Sequence, residues 1–402
     1  MKMLTKVIAS VLIPLFLLSS VGIADASGTI PSPSTHAQSA ALIDVTSGRI
    51  LYSKDGDQEL RIASLTKIMT AIVAIEHGNL QDKVKVTASS FAKEGSSLYL
   101  KLGEEMTLEN MLYGLMLRSG NDAASAIAEH VGGSEEGFVL LMNKKAEEIG
   151  LTRSHFMNPH GLDAEGHYST ANDLARLTAY ALHNPVFKRI VATEDKSAPN
   201  PNESWEYSWH NKNKMLRLYE GADGVKTGYT KKAFRCLVSS ATRDGQQLAA
   251  VTLNDGDDWN DHARMLDFGF ENFPLREIAK KEQPVANTSV VTGRGFQYPL
   301  AESEVASISK KLILTANRSQ NDSQNNSVSN DHSFGLAGRI EMQLDGKLIG
   351  TIPVYHKGSY IPPQPEMQEA AFAGIGEITT WAAAWRAVIS HLLSLKGGFL
   401  VD

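Results

Sequence analysis

A serine and a lysine three residues apart, inside an unusually apolar run, constrain this chain more than any other feature. The run is Arg61-Ile62-Ala63-Ser64-Leu65-Thr66-Lys67-Ile68-Met69-Thr70-Ala71-Ile72-Val73. No Pro or Gly interrupts it, Ser64 suits an N-cap or first turn, and Gly78 after His77 suits a stop, so the spacing predicts a helix. Ile68, Met69, Ile72, Val73 and Ile75 make that helix apolar nearly all round, which predicts burial at the centre of a domain. Residues i and i+3 share a helix face, so the Ser64 hydroxyl and the Lys67 amine meet at the N-terminal end. A buried helix carrying both makes chemical sense if that end opens on a cleft. There Lys67 can take the Ser64 proton, and the helix N-terminus favours negative charge on an attacked carbonyl. Alone, the S-x-x-K string is expected about once by chance in a chain of this length. It needs partners.

The 402 residues are 42% hydrophobic and 21% charged, a globular composition with length for two domains. A net charge of −6 exerts no general pull on nucleic acid or anionic lipid, so no nucleic-acid partner is expected. Cys236 is the one cysteine, which excludes an intrachain disulfide; in the strand-like run Phe234-Arg235-Cys236-Leu237-Val238 it reads as a buried structural thiol. Lys2 and Lys6 precede the apolar run Val7 to Ile23, and Ala24-Asp25-Ala26 fits a cleavage site. Residues 1–26 therefore read as a secretory signal peptide and 27–38 as a linker, which predicts export.

Two strands, Ala40 to Val45 and Arg49 to Tyr52, are joined by Thr46-Ser47-Gly48. Helices follow from Ser64, from Thr107 to Arg118, from near Ala123 to His130, after Ser134, and from Ala171 to about His183. Strands return at Gly224 to Thr230, Arg235 to Thr242 and Gln247 to Leu253, and a helix from Trp259 to Phe270 closes the region. This order predicts an α+β domain over 39–273, an antiparallel sheet whose first and last strands meet around an inserted helical part. From 274 to 365 the strand pattern and the Asp345-Gly346 hairpin turn predict a small all-β domain, with an Asn/Ser-rich loop at 317–331. In the tail, 366–402, Trp381, Trp385, Val388, Leu392 and Leu395 share one side of an amphipathic C-terminal helix, which predicts peripheral membrane contact.

The partners of Ser64 and Lys67 now line up. Ser119-Gly120-Asn121 and Lys226-Thr227-Gly228 follow in order, completing the S-x-x-K, S-x-N, K-T-G set of the serine penicillin-binding proteins and β-lactamases. Each residue type suits acyl transfer. Ser64 is the nucleophile and Lys67 its base, the latter only if burial and a nearby charge such as Lys226 keep it neutral. Ser119 can relay the proton to the leaving amine, and Asn121 can orient Lys67 or the substrate amide. Lys226 and Thr227 suit a terminal carboxylate, and Gly228 leaves room for a substrate backbone beside the strand. The N–H groups of Ser64 and Tyr229 are the expected oxyanion donors.

Three longer stretches carry a resemblance to a family. Tyr113 to Ala124, Asn158-Pro159-His160-Gly161-Leu162 and Gly224 to Thr230 look like the D-alanyl-D-alanine carboxypeptidases, the low-molecular-mass penicillin-binding proteins of peptidase family S11. Asn254 to His262 is most similar to the sporulation-type enzymes of endospore-forming bacteria. The resemblance is dense from Ser39 to Phe270. It implies a transpeptidase-like fold and removal of the terminal D-alanine from a peptidoglycan stem peptide ending in D-Ala-D-Ala. It also implies covalent inhibition by β-lactams, no cofactor, and a place on the outer face of the cytoplasmic membrane or in the cell wall. Two alternatives compete. A serine β-lactamase shares the motifs, but the E-x-x-L-N string of the class A enzymes is absent and Glu165 lacks its context. A non-catalytic peptidoglycan-binding protein would form no penicillin adduct. No metal site is expected: His155, His160, His167 and Asp255, Asp257, Asp258, Asp261 lack ligand spacing and are assigned surface or capping roles. Trp205 and Trp209 are assigned to packing rather than to a groove.

Overall fold

The computed structural model describes residues 30–315 and 335–362. The expected signal peptide, the Asn/Ser-rich loop and the C-terminal helix lie outside the described residues. In chain order, β1 (Ser39–Asp44) and β2 (Ile50–Lys54) form the first hairpin. A 3-10 turn, Ala63–Leu65, leads into α1 (Thr66–His77). Next come β3 (Lys83–Lys85), β4 (Glu105–Thr107), α2 (Leu108–Tyr113), a π-turn at Gly114–Arg118, α3 (Asn121–Gly132), α4 (Glu135–Ile149), α5 (Ala171–Leu182) and α6 (Pro185–Ala192). A second hairpin, β5 (Asp195–Ala198) and β6 (Tyr207–His210), and the short α7 (Met215–Leu218) precede β7 (Ala222–Thr230), β8 (Phe234–Arg243), β9 (Gln246–Leu253) and α8 (Asp258–Asn272).

The main sheet runs β2-β1-β9-β8-β7, antiparallel throughout, so the first strand does close on the last returning one. Alternation along β1 and β9 sorts the two faces. Ala41, Ile43, Ala249 and Val251 enter the core shared with α1 and α5, whereas Leu42 and Leu248 meet Gly269 of α8 on the other side. Both strands are therefore buried along their whole length. α1 lies within the helical part, packed against α3, α4, α5 and α6, with residues 66–74 all buried. Four of its apolar side chains, Ile68, Met69, Ile72 and Val73, stabilise the fold by roughly 2 kcal/mol each. That offsets the several kcal/mol that burying an amine at Lys67 costs.

Ser64 is not an N-cap. It occupies the 3-10 turn, whose Ala63 has φ 47°, and this turn abuts β7, the edge strand of the sheet. Several elements have no counterpart in the expectations above: α6, whose Asn184 side chain caps it ahead of Pro185, and the β5–β6 hairpin within the polar stretch. That hairpin separates the two tryptophans. Trp209 is buried and stacked on Tyr207, whereas Trp205 is 58% exposed and meets Tyr207 edge-on.

Beyond Phe273, β10 (Leu275–Ala279) pairs with β12 (Phe296–Pro299). A four-stranded sheet runs β11 (Val290–Thr292), β15 (Lys347–His356), β14 (Leu336–Leu344), β13 (Ile308–Leu314). Arg49, on the β1–β2 turn, joins this part to the main sheet. It donates to the Pro299 carbonyl at 2.6 Å, grips the Glu304 carboxylate with both Nη atoms, and lies over the Phe273 and Tyr298 rings.

Candidate active site

Three pieces of backbone carry the motif residues, of which Ser64, Lys67 and Asn121 meet directly. The π-turn Gly114–Arg118 ends at Ser119 in the left-handed conformation (φ 66°, ψ 34°), which swings the chain so that α3 starts at Asn121. Asp122 then fixes a neighbouring loop by accepting hydrogen bonds from Leu98 N, Leu100 N and Ser97 Oγ. Asn121 N in turn donates to Ser96 O at 2.7 Å. The second piece is the 3-10 turn bearing Ser64, and the third is edge strand β7 bearing Lys226 to Tyr229.

At the centre sits the Lys67 amine. It lies 3.0 Å from Ser64 Oγ, 2.7 Å from Asn121 Oδ1 and 2.6 Å from the His160 carbonyl oxygen. Two of those partners are carbonyls, which accept and never donate. A neutral amine has two N–H bonds and one lone pair. If the carbonyls take the two N–H bonds, the lone pair is left for the Ser64 hydroxyl. Burial, then the charges of Lys226 and Lys212, push the Lys67 pKa well below that of an ordinary lysine. Asn121 is fixed at both ends, since its Nδ2 donates to Glu94 O at 2.6 Å; it serves Lys67 rather than standing free.

Lys226 is 1% exposed, and its Nζ donates to the Thr227 carbonyl at 2.7 Å. Burial and the Lys212 charge bring its pKa down to about 7. Gly228 also has a reason within the fold itself. A Cβ there would stand 3.2 Å from Ser64 N and 3.3 Å from the Ala63 Cβ, so the glycine lets β7 close against the 3-10 turn that bears Ser64. Tyr229 is 64% exposed.

Residues assigned no catalytic role in advance hold this geometry from behind. Gly161 (φ +83°) lies under the 3-10 turn, where a Cβ would come within 1.9 Å of the Ala63 carbonyl oxygen. Thr66 Oγ1 donates to that same carbonyl at 2.9 Å and sits 2.8 Å from His167 Nε2. Because Met157 N donates to His167 Nδ1, the ring's proton is on Nε2, and a chain His167–Thr66–Ala63 supports the Ser64 turn. Burial first, then nearby charge, hold His160 neutral with a pKa lowered to about 3, and His167 with one lowered to about 4. Both are buried, as are Asp255, Asp258 and Asp261, so the surface half of the surface or capping role expected for them is corrected, while His160, His167 and Asp255 do accept from nearby backbone N–H groups. His160 acts through a backbone carbonyl, which no side-chain pattern announces. Lys212 stood in a polar stretch without periodicity; its amine reaches Ser96 Oγ at 3.3 Å. A groove of about 730 Å³ elsewhere, between β3 and the α3–α4 corner, contains none of these residues.

Comparison with known proteins decides the family. The model of the D-alanyl-D-alanine carboxypeptidases, peptidase S11, matches residues 26–257. The chain belongs to this family. DacF, a D-alanyl-D-alanine carboxypeptidase of Bacillus subtilis, is 36% identical over 333 residues, covering 80% of this chain and 85% of that protein. DacC of Escherichia coli K12, named for the same activity, is 31% identical over 358 residues, covering 85% and 88%. Among solved structures, the D-alanyl-D-alanine carboxypeptidase of Mycobacterium tuberculosis H37Rv matches with a TM-score of 0.58 at 34% identity, over 62% of this chain and 96% of its own. Penicillin-binding protein 5 of Haemophilus influenzae matches over 82% of this chain and 99% of its own, with a TM-score of 0.65. At 24% identity that match speaks for the fold alone. The chain is thus a serine-type carboxypeptidase of this family with the mixed α+β architecture expected of it, acting on D-Ala-D-Ala termini outside the cytoplasm.

Proposed function

We propose that Ser64 is the acylated residue and Lys67 its general base, and that the two carbonyls holding the Lys67 amine carry this assignment. The stem peptide lies along the β7 edge with its terminal carboxylate on Lys226 and Thr227. Lys67 accepts the Ser64 proton as Oγ attacks the carbonyl carbon of the penultimate D-alanine. The oxyanion is held by the Ser64 and Tyr229 N–H groups. The C–N bond then breaks, and the leaving amine takes the proton from Lys67 through Ser119. Terminal D-alanine departs and the shortened peptide remains as an ester on Ser64. Water, deprotonated by Lys67, attacks that ester and frees the serine. A β-lactam is attacked in the same way, but its ring opens without a leaving group departing, so the site stays blocked. Purified muropeptides test the reaction. Free D-alanine released from pentapeptides supports it; intact pentapeptides beside cleaved cross-links contradict it.

The location follows from the ends of the chain. In this reading residues 1–26 direct export, and the 366–402 segment, which carries Trp381 and Trp385, holds the enzyme at the outer face of the membrane. Among the described residues no helix is long and apolar enough to cross a membrane. Flotation of the full chain with anionic vesicles, lost on truncation after residue 365, supports surface contact; equal flotation of both forms overturns it.

A further inference from the structure

Behind the main sheet, at the corner between β9 and α8, acidic groups converge on the segment that precedes β1. Asp261, fully buried on α8, accepts from His36 N through Oδ2 at 2.5 Å, and its Oδ1 lies 3.2 Å from His36 Nδ1. Asp257 Oδ2 lies 3.9 Å from the same ring nitrogen. The three donor atoms fall within 4.8 Å of one another. A tetrahedral cation with bonds of about 2.0–2.1 Å sets its ligand atoms about 3.3 Å apart, close to these separations.

Asp255 supplies an independent sign. It is 2% exposed, and its carboxylate meets that of Asp261. Its Oδ1 accepts from Asp257 N at 2.9 Å, whereas Oδ2 is buried with no hydrogen-bond donor. A buried carboxylate oxygen facing a second carboxylate, with no donor, is a costly arrangement that a cation would relieve. The one positive side chain paired with the cluster is Arg264, which contacts Asp261 and Asp257. Asp258 is taken up separately by Arg235. Three carboxylates against one guanidinium leave two negative charges, the complement of a divalent ion.

We propose that His36, Asp257 and Asp261 form a site for a divalent transition-metal cation of the Zn2+ or Mn2+ type, with the Asp255 carboxylate behind Asp261 adding negative charge. One imidazole nitrogen among carboxylate oxygens suits these ions better than Ca2+ or Mg2+, which prefer oxygen alone. The Arg264 side chain, 43% exposed, occupies the place in competition and swings out to solvent when the ion enters. Bound metal fastens the segment before β1 to the β9–α8 corner. That corner also holds Arg235, the cross-strand neighbour of Tyr229 on the substrate-side strand.

The test uses the full chain. Metal-free protein is dialysed against Zn2+ or Mn2+, with Ca2+ as a comparison, and metal content, affinity and melting temperature are measured. One Zn2+ or Mn2+ per chain with a Kd below about 10 µM is expected, and at a hundredfold excess over Kd a melting-temperature rise of about 4 °C. His36→Ala and Asp257→Asn, both at partly exposed positions, weaken binding at least about tenfold. Arg264→Gln removes the competing cation and tightens it severalfold, a change that adventitious surface binding would not show. Failure to retain metal after dialysis, unchanged affinity in His36→Ala, or weaker binding in Arg264→Gln would each overturn the proposal.

Discussion

In the proposed mechanism the chemistry turns on the Lys67 amine, whose surroundings set its protonation state and its direction together. Burial and two neighbouring lysines disfavour the ammonium, and the carbonyls of Asn121 and His160 take the N–H bonds. Lys67→Ala is expected to slow acylation by penicillin about 10²–10⁴-fold with the fold retained, read by stopped-flow acylation and circular dichroism. A rate within threefold of the parent would remove Lys67 as the base. Lys226 carries a separate pH dependence. Its pKa of about 7 means that it is charged below that value and neutral above it, and a carboxylate needs the charged form. For a D-Ala-D-Ala peptide, kcat/KM should fall as pH rises through 7, by up to about tenfold per unit. The matching C-terminal amide should be about a hundredfold poorer and lack this limb. Identical pH profiles for acid and amide would exclude Lys226 as the carboxylate site.

At the level of elements, the 3-10 turn is positioned from two sides, by β7 at Gly228 and by the 158–163 loop at Gly161. Gly161→Ala puts a methyl on the Ala63 carbonyl at a φ of +83°, and is expected to cost about 2–3 kcal/mol in stability and to abolish acylation. A urea midpoint and acylation rate equal to the parent's would show that the turn does not rest on this glycine. Three buried neutral histidines accompany these elements, His160 in that loop, His167 just beyond it and His262 on α8. Burial lowers His160 and His262 to about 3 and His167 to about 4, from 6.5. Between those values and 6.5 the unfolded chain binds protons that the native one refuses. Their contribution is therefore whole above pH 6.5 and is lost as pH falls toward 4, by up to about 1.4 kcal/mol per pH unit for each histidine. Urea midpoints at pH 7.5, 5.5 and 4.5 measure this, and a flat series contradicts it. These elements also show what a sequence discloses. Ser64, Lys67, Ser119, Asn121 and Lys226 could be singled out in advance because the roles proposed for them belong to side chains in a readable pattern, and α1 because its apolar run is long. The His160 carbonyl, the Ala63 strain and the Gly161 contact could not, since backbone atoms and close approach leave no side-chain pattern. α6 did leave one, Asn184 followed by Pro185, but eight residues are too few for periodicity to stand out.

Across the whole molecule, the second group of strands hangs on Arg49, where a two-pronged carboxylate contact, a carbonyl and two aromatic rings converge on one guanidinium. Arg49→Ala is expected to cost about 2 kcal/mol. It should open the chain near Phe273 to limited proteolysis while the main sheet still acylates; unchanged cleavage would place the attachment elsewhere. In the proposed mechanism, the core that buries α1 and the edge strand beside the 3-10 turn present Ser64 to a substrate with its base already neutral. The most direct measurement of that claim is made on the full chain. The protein is mixed with benzylpenicillin at neutral pH, and the adduct is counted by intact mass, mapped by peptide digestion and timed as it decays. One penicilloyl group per chain on the peptide containing Ser64, absent in Ser64→Ala and lasting well beyond seconds, is the predicted result. No adduct on folded protein, an adduct on another residue, or one lost within seconds as in a β-lactamase would contradict it.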